Sequence, residues 1–509
     1  MLKPLTGLQE FSGLTCKSCL NLVNLVPGAR IYLHPSTLAK RVYILLFIII
    51  IVFYLYGLGH LPLLGPDEPR YAQVAREMFL SRDLITPTLG GHTWFEKPAL
   101  LYWMIAGTFK VFGVSEWPAR VGPALCGLLT ILAVWCVGRE MDRDEPRGFA
   151  FWSLIVTASC LGLIVFSRAA SFDVVITMTT TWALALFLLH ELPATQNKRL
   201  LLAGFYVFIG LSLLAKGLVG VVIPFGVVGV YYLLRRAWPS RSVLLSVVWG
   251  VPLALAVSAI WYGPVIARHG WTFVDEFFVQ HHFARYVSNK YHHPQPIYFY
   301  PVIILMLALP WTPYLIGALA KVRGWDWRGD DSLSIARVFS FAWLLLPLVF
   351  FSFSGSKLPG YVLPVVPAVA LLVSDRLTRI FNPRWPLVIA GVTVVMVVIV
   401  LNFGAARYAG RESVRDLLLM ADARGYANAP VLAQRSDDRS AEFYAYGRVV
   451  YGRDGEPVTF DEISVDEARA RGGKFVVMIP VEYVENFRGV RTIEVIGDNG
   501  KTAVMGWKP

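Results

Sequence analysis

Apolar residues in this chain come in long unbroken blocks. They lie near 42–58, 120–138, 149–166, 172–190, 200–215, 217–234, 243–266, 297–319, 337–353, 360–375 and 385–404. About 17–25 apolar residues cross a bilayer as a helix, so these blocks predict about eleven membrane spans. The stretch 98–109, "PALLYWMIAGTF", is too short to span and predicts an interfacial helix. A different pattern follows Pro69. Tyr71, Val74, Ala75, Met78 and Phe79 recur at helical spacing, while Arg70, Gln73, Arg76 and Glu77 take the other face. This predicts an amphipathic helix in the interface plane, with Pro69 in its first turn and Asp67 as its cap.

Beyond residue 405 the pattern alternates between helical and strand periods ("RESVRDLLLMADARG", "KFVVMIP", "RTIEVIG"), as expected of a small soluble α/β domain. The predicted class is a polytopic α-helical membrane protein with that domain at its C-terminus. Its expected divisions are a cytoplasmic extension at 1–40, a transmembrane domain at 41–404 with amphipathic outer-face loop helices at about 59–119, and an outer-face α/β domain at 405–509.

Composition agrees with the pattern. Hydrophobic residues make up 56% and charged residues 16% of the 509 positions, far from soluble averages. The net charge of +12 comes without any basic run interleaved with aromatics, which argues against nucleic acid. Instead the cations gather in alternate connections. Arg139, Arg143, Arg147, Lys198, Arg199, Arg235, Arg236, Arg241, Lys321, Arg323, Arg328, Arg376, Arg379 and Arg384 share a side with Lys40 and Arg41, and the positive-inside rule makes that side cytoplasmic. Cys126, Cys136 and Cys160 lie in apolar blocks as packing residues. Cys16 and Cys19 form a lone CxxC without the second pair that a zinc site needs. Residues 1–40 lack a cleavage signature and read as an extension, not a signal peptide.

The opposite side receives "GPDEPRY" (65–71), "GGHTWFEKPA" (90–99), "SRAASFD" (167–173), "AKG" (215–217), the His-rich loop 267–296 and "SGSKLPGY" (354–361). These are isolated charges at span ends, and they are expected to converge on one site. Ionisable residues at such places predict function. Asp173 and Arg168 are expected to pair, and Lys216 and Lys357 are weighed against simple snorkelling.

Taken in order, "DEPRYAQVAREM", "FEKPALLYW", "SRAASFD", "AKG", "QHHFARY" and "SKLPGYVLPVVP" resemble the ArnT-like branch of the protein O-mannosyltransferase superfamily, GT-C membrane glycosyltransferases. The resemblance runs from about residue 40 to 404. It implies 11–13 spans, a polyprenyl-phosphate sugar donor, no nucleotide cofactor, and an acceptor such as lipid A on the periplasmic face of the inner membrane. It also implies roles for particular residues. Asp67 matches the catalytic aspartate, with Glu68 and Asp173 as further catalytic candidates. Lys97, Arg70, Lys216, Lys357, Tyr361 and Arg285 are candidates for the carrier phosphate, since glycosyl transfer must neutralise a departing anion. Trp94 and Phe95 fall at the donor pocket, Trp94 standing where relatives often have Tyr. Glu96 and His282, or the adjacent His281, are the implied ligands of a divalent metal such as Zn²⁺; His292 and His293 read as loop residues.

Two alternatives stay open. One keeps the mechanism but takes protein Ser/Thr or another polysaccharide as acceptor. The other is a transporter or flippase, disfavoured by nearly charge-free span interiors and the lack of an internal repeat.

Overall fold

The computed structural model describes residues 37–144, 148–284, 295–380, 382–433, 439–453, 455–458, 473–487 and 489–508. Most of the predicted 1–40 extension lies outside them. Each of the eleven apolar blocks contains helix, since a chain in hydrocarbon must satisfy its backbone N–H and C=O groups internally.

Seven described helices are long and apolar enough to cross a membrane: Glu116–Arg143, Phe172–Glu191, Lys198–Lys216, Arg241–Gln280, Ser332–Ser352, Pro359–Leu377 and Arg384–Arg411. The block 297–319 is not one straight span, because Phe299–Leu307 and Thr312–Leu319 meet at a bend of 120°. The block 149–166 divides where Cys160 adopts an extended backbone. That break frees the Leu161 N–H, which donates to the Leu309 carbonyl in the bent pair at 2.8 Å, so the two irregularities satisfy each other. The last apolar helix runs on to Arg411, past the expected boundary at 404.

The two predicted interfacial helices are present as Asp67–Ser81 and Leu100–Phe112. The first differs in two ways from its sequence pattern. Its N-cap is Pro66, without a side-chain cap, so Asp67 does not cap the helix. Its polar face is also not left open, for Gln73 and Arg76 are buried. Phe443 and Tyr446 of the C-terminal region cover Arg76, which periodicity within one helix cannot anticipate.

That region contains a four-stranded sheet. Val431–Ala433 pairs in parallel with Phe475–Pro480, which pairs antiparallel with Thr502–Trp507, itself antiparallel to Ile493–Asp498. One sheet face buries Leu432, Phe475, Val477, Ile479, Met505 and Trp507, with the Phe475 and Trp507 rings stacked at 5.2 Å.

Candidate active site

Five places in the sequence converge on one cleft. Asp67 and Tyr71 come from the first turns of the Asp67–Ser81 helix, and Glu96, Lys97 and Pro98 from the bend that precedes the Leu100–Phe112 helix. Ser171, Asp173, Ile176 and Thr180 lie at the start of Phe172–Glu191, and Lys216, Val219 and Ile223 flank the junction of the next two helices. Phe350, Phe351, Ser354, Leu358 and Tyr361 complete the wall. The lining is mostly apolar and carries the charges of Asp67, Glu96, Lys97, Asp173 and Lys216.

Local physics sets each charge in place. Ser171 caps the Phe172–Glu191 helix by accepting from the Asp173 N–H at 3.1 Å, which puts the Asp173 carboxylate in the first turn, where the helix dipole favours an anion. Lys216 ends its own helix because Gly217, at φ 67°, turns the chain with positive φ, and a cation suits that C-terminus. Lys216 Nζ and Asp173 Oδ1 form an ion pair. The ammonium also lies 4.6 Å from the Tyr361 ring centroid. Tyr361 is carried on the 3₁₀ turn Pro359–Val365, whose Pro364 carbonyl accepts from Trp343 Nε1 at 2.8 Å.

In the same lining Lys97 Nζ pairs with Glu96 Oε1 at 2.6 Å. Arg70 bridges two carboxylates, binding Asp67 Oδ1 at 2.6 Å and lying 3.8 Å from Glu96 Oε2. Burial alone would lower the Arg70 pKa, but the Glu96 and Asp67 carboxylates outweigh it and push it up, so the guanidinium stays charged. Burial, reinforced by the Asp67 and Glu96 carboxylates, pushes the Tyr71 phenol well up, so it faces the cleft as a neutral donor. The cleft therefore holds three carboxylates, each beside a cation, in a mostly apolar lining.

Several sequence expectations change here. Glu68 is not a cleft residue. Its two oxygens accept from Arg120 Nε and Nη2 at 2.8 and 2.7 Å, from Leu64 N–H at 2.8 Å and from Ala170 N–H at 2.7 Å. Four charge-assisted bonds in a buried setting make it a structural clamp. Arg168 does not pair with Asp173; it donates to the Phe53 carbonyl at 2.6 Å and stacks on that ring. Lys357 is buried and donates to the Ser354 carbonyl at 2.9 Å, closing its own turn instead of lining the cleft. Arg70 stands behind the lining and props Asp67 and Glu96. Phe95 points away into a cluster with Phe273 at 5.1 Å. Trp94 is also off the cleft, under the Arg70 guanidinium at 5.2 Å. Arg285, His292 and His293 lie outside the described residues, as do the side chains of His281 and His282.

Sequence reasoning missed Arg120, Tyr71 and Ser171. Arg120 had a readable signal, since an arginine at the start of an apolar block needs a partner. For the metal, no three metal-ligating side chains converge among the described residues. Both Glu96 oxygens face cations, so the described side chains do not make a donor set there. The chemistry below rests on the chain's own groups.

The geometry can be set beside known proteins. The model of the dolichyl-phosphate-mannose-protein mannosyltransferase family matches residues 40–316, the stretch that supplies Asp67, Glu96, Lys97, Asp173 and Lys216. The chain belongs to this family.

Within reach of the family lie curated relatives described as undecaprenyl phosphate-α-4-amino-4-deoxy-L-arabinose arabinosyl transferases. One from Pseudomonas aeruginosa is 33% identical over 348 residues, covering 67% of this chain and 60% of the relative. Another, from Pseudomonas fluorescens, is 30% identical over 353 residues, covering 68% and 58%. The match thus spans well under two thirds of each relative's length. Among solved structures, ArnT from Cupriavidus metallidurans bound to undecaprenyl phosphate is similar with TM-score 0.75, covering 92% of this chain and 98% of that one at 22% identity. Its apo form is similar with TM-score 0.73. This likeness shows a shared fold. The protein is a multi-pass membrane member of the family with a GT-C-type architecture.

Proposed function

We propose that this chain is a glycosyltransferase that moves a sugar from a polyprenyl-phosphate donor to an acceptor of the cell envelope. The observation that carries the reading is the pair of lysines, Lys97 and Lys216, in the lining of one mostly apolar cleft. A lipid-linked phosphate needs both: greasy contact for the isoprenoid and cations for the leaving group. Ile176, Val219, Ile223, Phe350 and Phe351 supply the first. As the acceptor oxygen attacks the anomeric carbon, the bond from that carbon to the phosphate oxygen breaks and negative charge gathers on the phosphate. Lys97, Lys216 and the Tyr361 hydroxyl are the groups to receive it. Asp67 is half exposed at the rim and takes the proton from a hydroxyl acceptor as general base. With a phosphate acceptor no proton need leave, and Asp67 then orients the nucleophile. Asp173 holds the Lys216 ammonium in place.

The relatives' names make 4-amino-4-deoxy-L-arabinose on undecaprenyl phosphate the first donor to test, and lipid A the first acceptor. Detergent-purified protein should release undecaprenyl phosphate from that donor only when acceptor is present. Donor binding without turnover, combined with movement of the donor across liposomes, would favour the flippase reading. The cation-rich connections at the other end of the bundle support a periplasmic cleft. With Cys16 and Cys19 replaced by serine, an Arg491→Cys variant should react with a membrane-impermeant thiol reagent in spheroplasts; protection there would reverse the orientation.

A further inference from the structure

The helix that begins with Asp67 is held from behind by the C-terminal region, through two side chains. Arg76 is buried despite its charge. Its Nη2 donates to the Phe443 carbonyl at 2.8 Å, and its guanidinium lies over the Phe443 and Tyr446 rings at 4.8 and 5.2 Å. Tyr444 makes the second connection. Its hydroxyl accepts from the Leu63 N–H at 2.8 Å and donates to Glu116 Oε1 at 3.0 Å, and Glu116 pairs with Arg415 at 3.2 Å.

Leu63 matters because of what surrounds it. The run 58–64 leads directly into Asp67, and its backbone groups are pinned one after another. Arg120 takes the carbonyls of Leu58, Leu61 and Pro62 at 2.7–2.8 Å, and Glu68 takes the Leu64 N–H. Those clamps come from the bundle and the helix itself. The Leu63 N–H is held by the C-terminal region, four residues before the candidate base. A third contact lies at the turn between the paired strands Thr88–Leu89 and His92–Thr93, where Gly90 at φ 59° leaves room for the Tyr451 ring that a Cβ would strike.

We propose that Tyr444 and Arg76 form a latch through which the C-terminal region sets the position of Asp67 in the cleft, making both positioning residues for transfer. The proposal rests on Asp67 acting in the reaction. Donor phosphate contacts come from Lys97, Lys216 and Tyr361, on other segments, so releasing the latch should move the base and leave donor binding alone. A shift of about 1 Å at a reacting group can cost up to a hundredfold.

Tyr444→Phe keeps the ring and removes both hydrogen bonds. The expected result is a kcat about tenfold lower per folded molecule, an unchanged donor Kd, and faster hydrogen exchange at the amides of residues 63–71. Arg76→Gln should give the same split and serves if Tyr444→Phe folds poorly. An unchanged kcat per folded molecule in both variants overturns the latch and leaves these residues a packing role. If the wild-type protein does not transfer at all, the proposed function fails. Exchange at 63–71 in Tyr444→Phe then decides the latch by itself, and unchanged protection overturns it.

Discussion

Asp173 and Lys216 stand 43 positions apart in sequence and on different helices, yet their side chains form an ion pair on the cleft wall. Each is mostly shielded from water, so neither charge is well solvated if its partner is lost. The pair should therefore behave as a unit. In a double-mutant cycle of Asp173→Asn and Lys216→Met, the two single losses in transfer rate should sum to more than the loss in the double variant, with a coupling of about 0.5–3 kcal/mol. Strict additivity of the four measured rates would mean that the residues act separately.

Gly360 tests the same wall from the other side. A Cβ at this position would overlap the Asp173 carboxylate. Gly360→Ala must then displace Asp173 or the turn that carries Tyr361. Transfer should fall by up to about a hundredfold, as expected of a small misplacement next to reacting groups. The check is kcat at unchanged expression, and wild-type turnover would show that the turn yields without cost.

Glu68 predicts a contrast with its neighbour Asp67. With four acceptor positions filled and Arg120 buried against it, Glu68→Gln turns part of that acceptor surface into a donor facing a guanidinium. Breaking a buried pair costs about 3–5 kcal/mol. The variant should show a much lower midpoint in a thermal unfolding assay, while the fraction that remains folded should still transfer.

The class of protein and most of the cleft were legible in the sequence. Long apolar blocks point to membrane spans and isolated charges at their ends to Asp173 and Lys216, while Asp67 and Lys97 follow from the motifs that resemble the family. What could not be read is which way such a charge turns. Lys357 and Lys216 look alike in sequence, but Lys357 closes its own turn on Ser354 and Lys216 reaches Asp173. Glu68 lies next to Asp67, and its role depends on Arg120, 52 positions later. The burial of Arg76 depends on Phe443, 367 positions later. Periodicity describes one element at a time, so it cannot report contacts of that range.

Asp67→Asn should abolish transfer with little change in stability. The side chain is half exposed and its pair with Arg70 is of the local kind worth about 1 kcal/mol or less. Loss of a general base lowers rates by about 10²–10⁴. The comparison to make is turnover against unfolding midpoint, in the same preparation. Near-normal turnover would remove Asp67 from the chemistry.

Lys97 offers the sharpest separation between binding and anchoring. Its ammonium lines the cleft and pairs with Glu96 at 2.6 Å. If it also holds the carrier phosphate, Lys97→Ala removes a charge-assisted contact worth about 1.5–3 kcal/mol, roughly a tenfold to hundredfold loss in donor affinity. Arg at this position should restore only part of it, because the planar guanidinium reaches further and presents its donors as a fork. The competing account is that Lys97 only tethers the loop to anionic headgroups. A neutral detergent offers no such surface, so under that account Lys97→Gln binds donor as tightly as wild type. Titrating donor into Lys97→Ala, Lys97→Gln and Lys97→Arg in neutral detergent separates the two. A graded loss, with Arg the least affected, places Lys97 on the phosphate, and an unchanged Kd across all three removes it from the site.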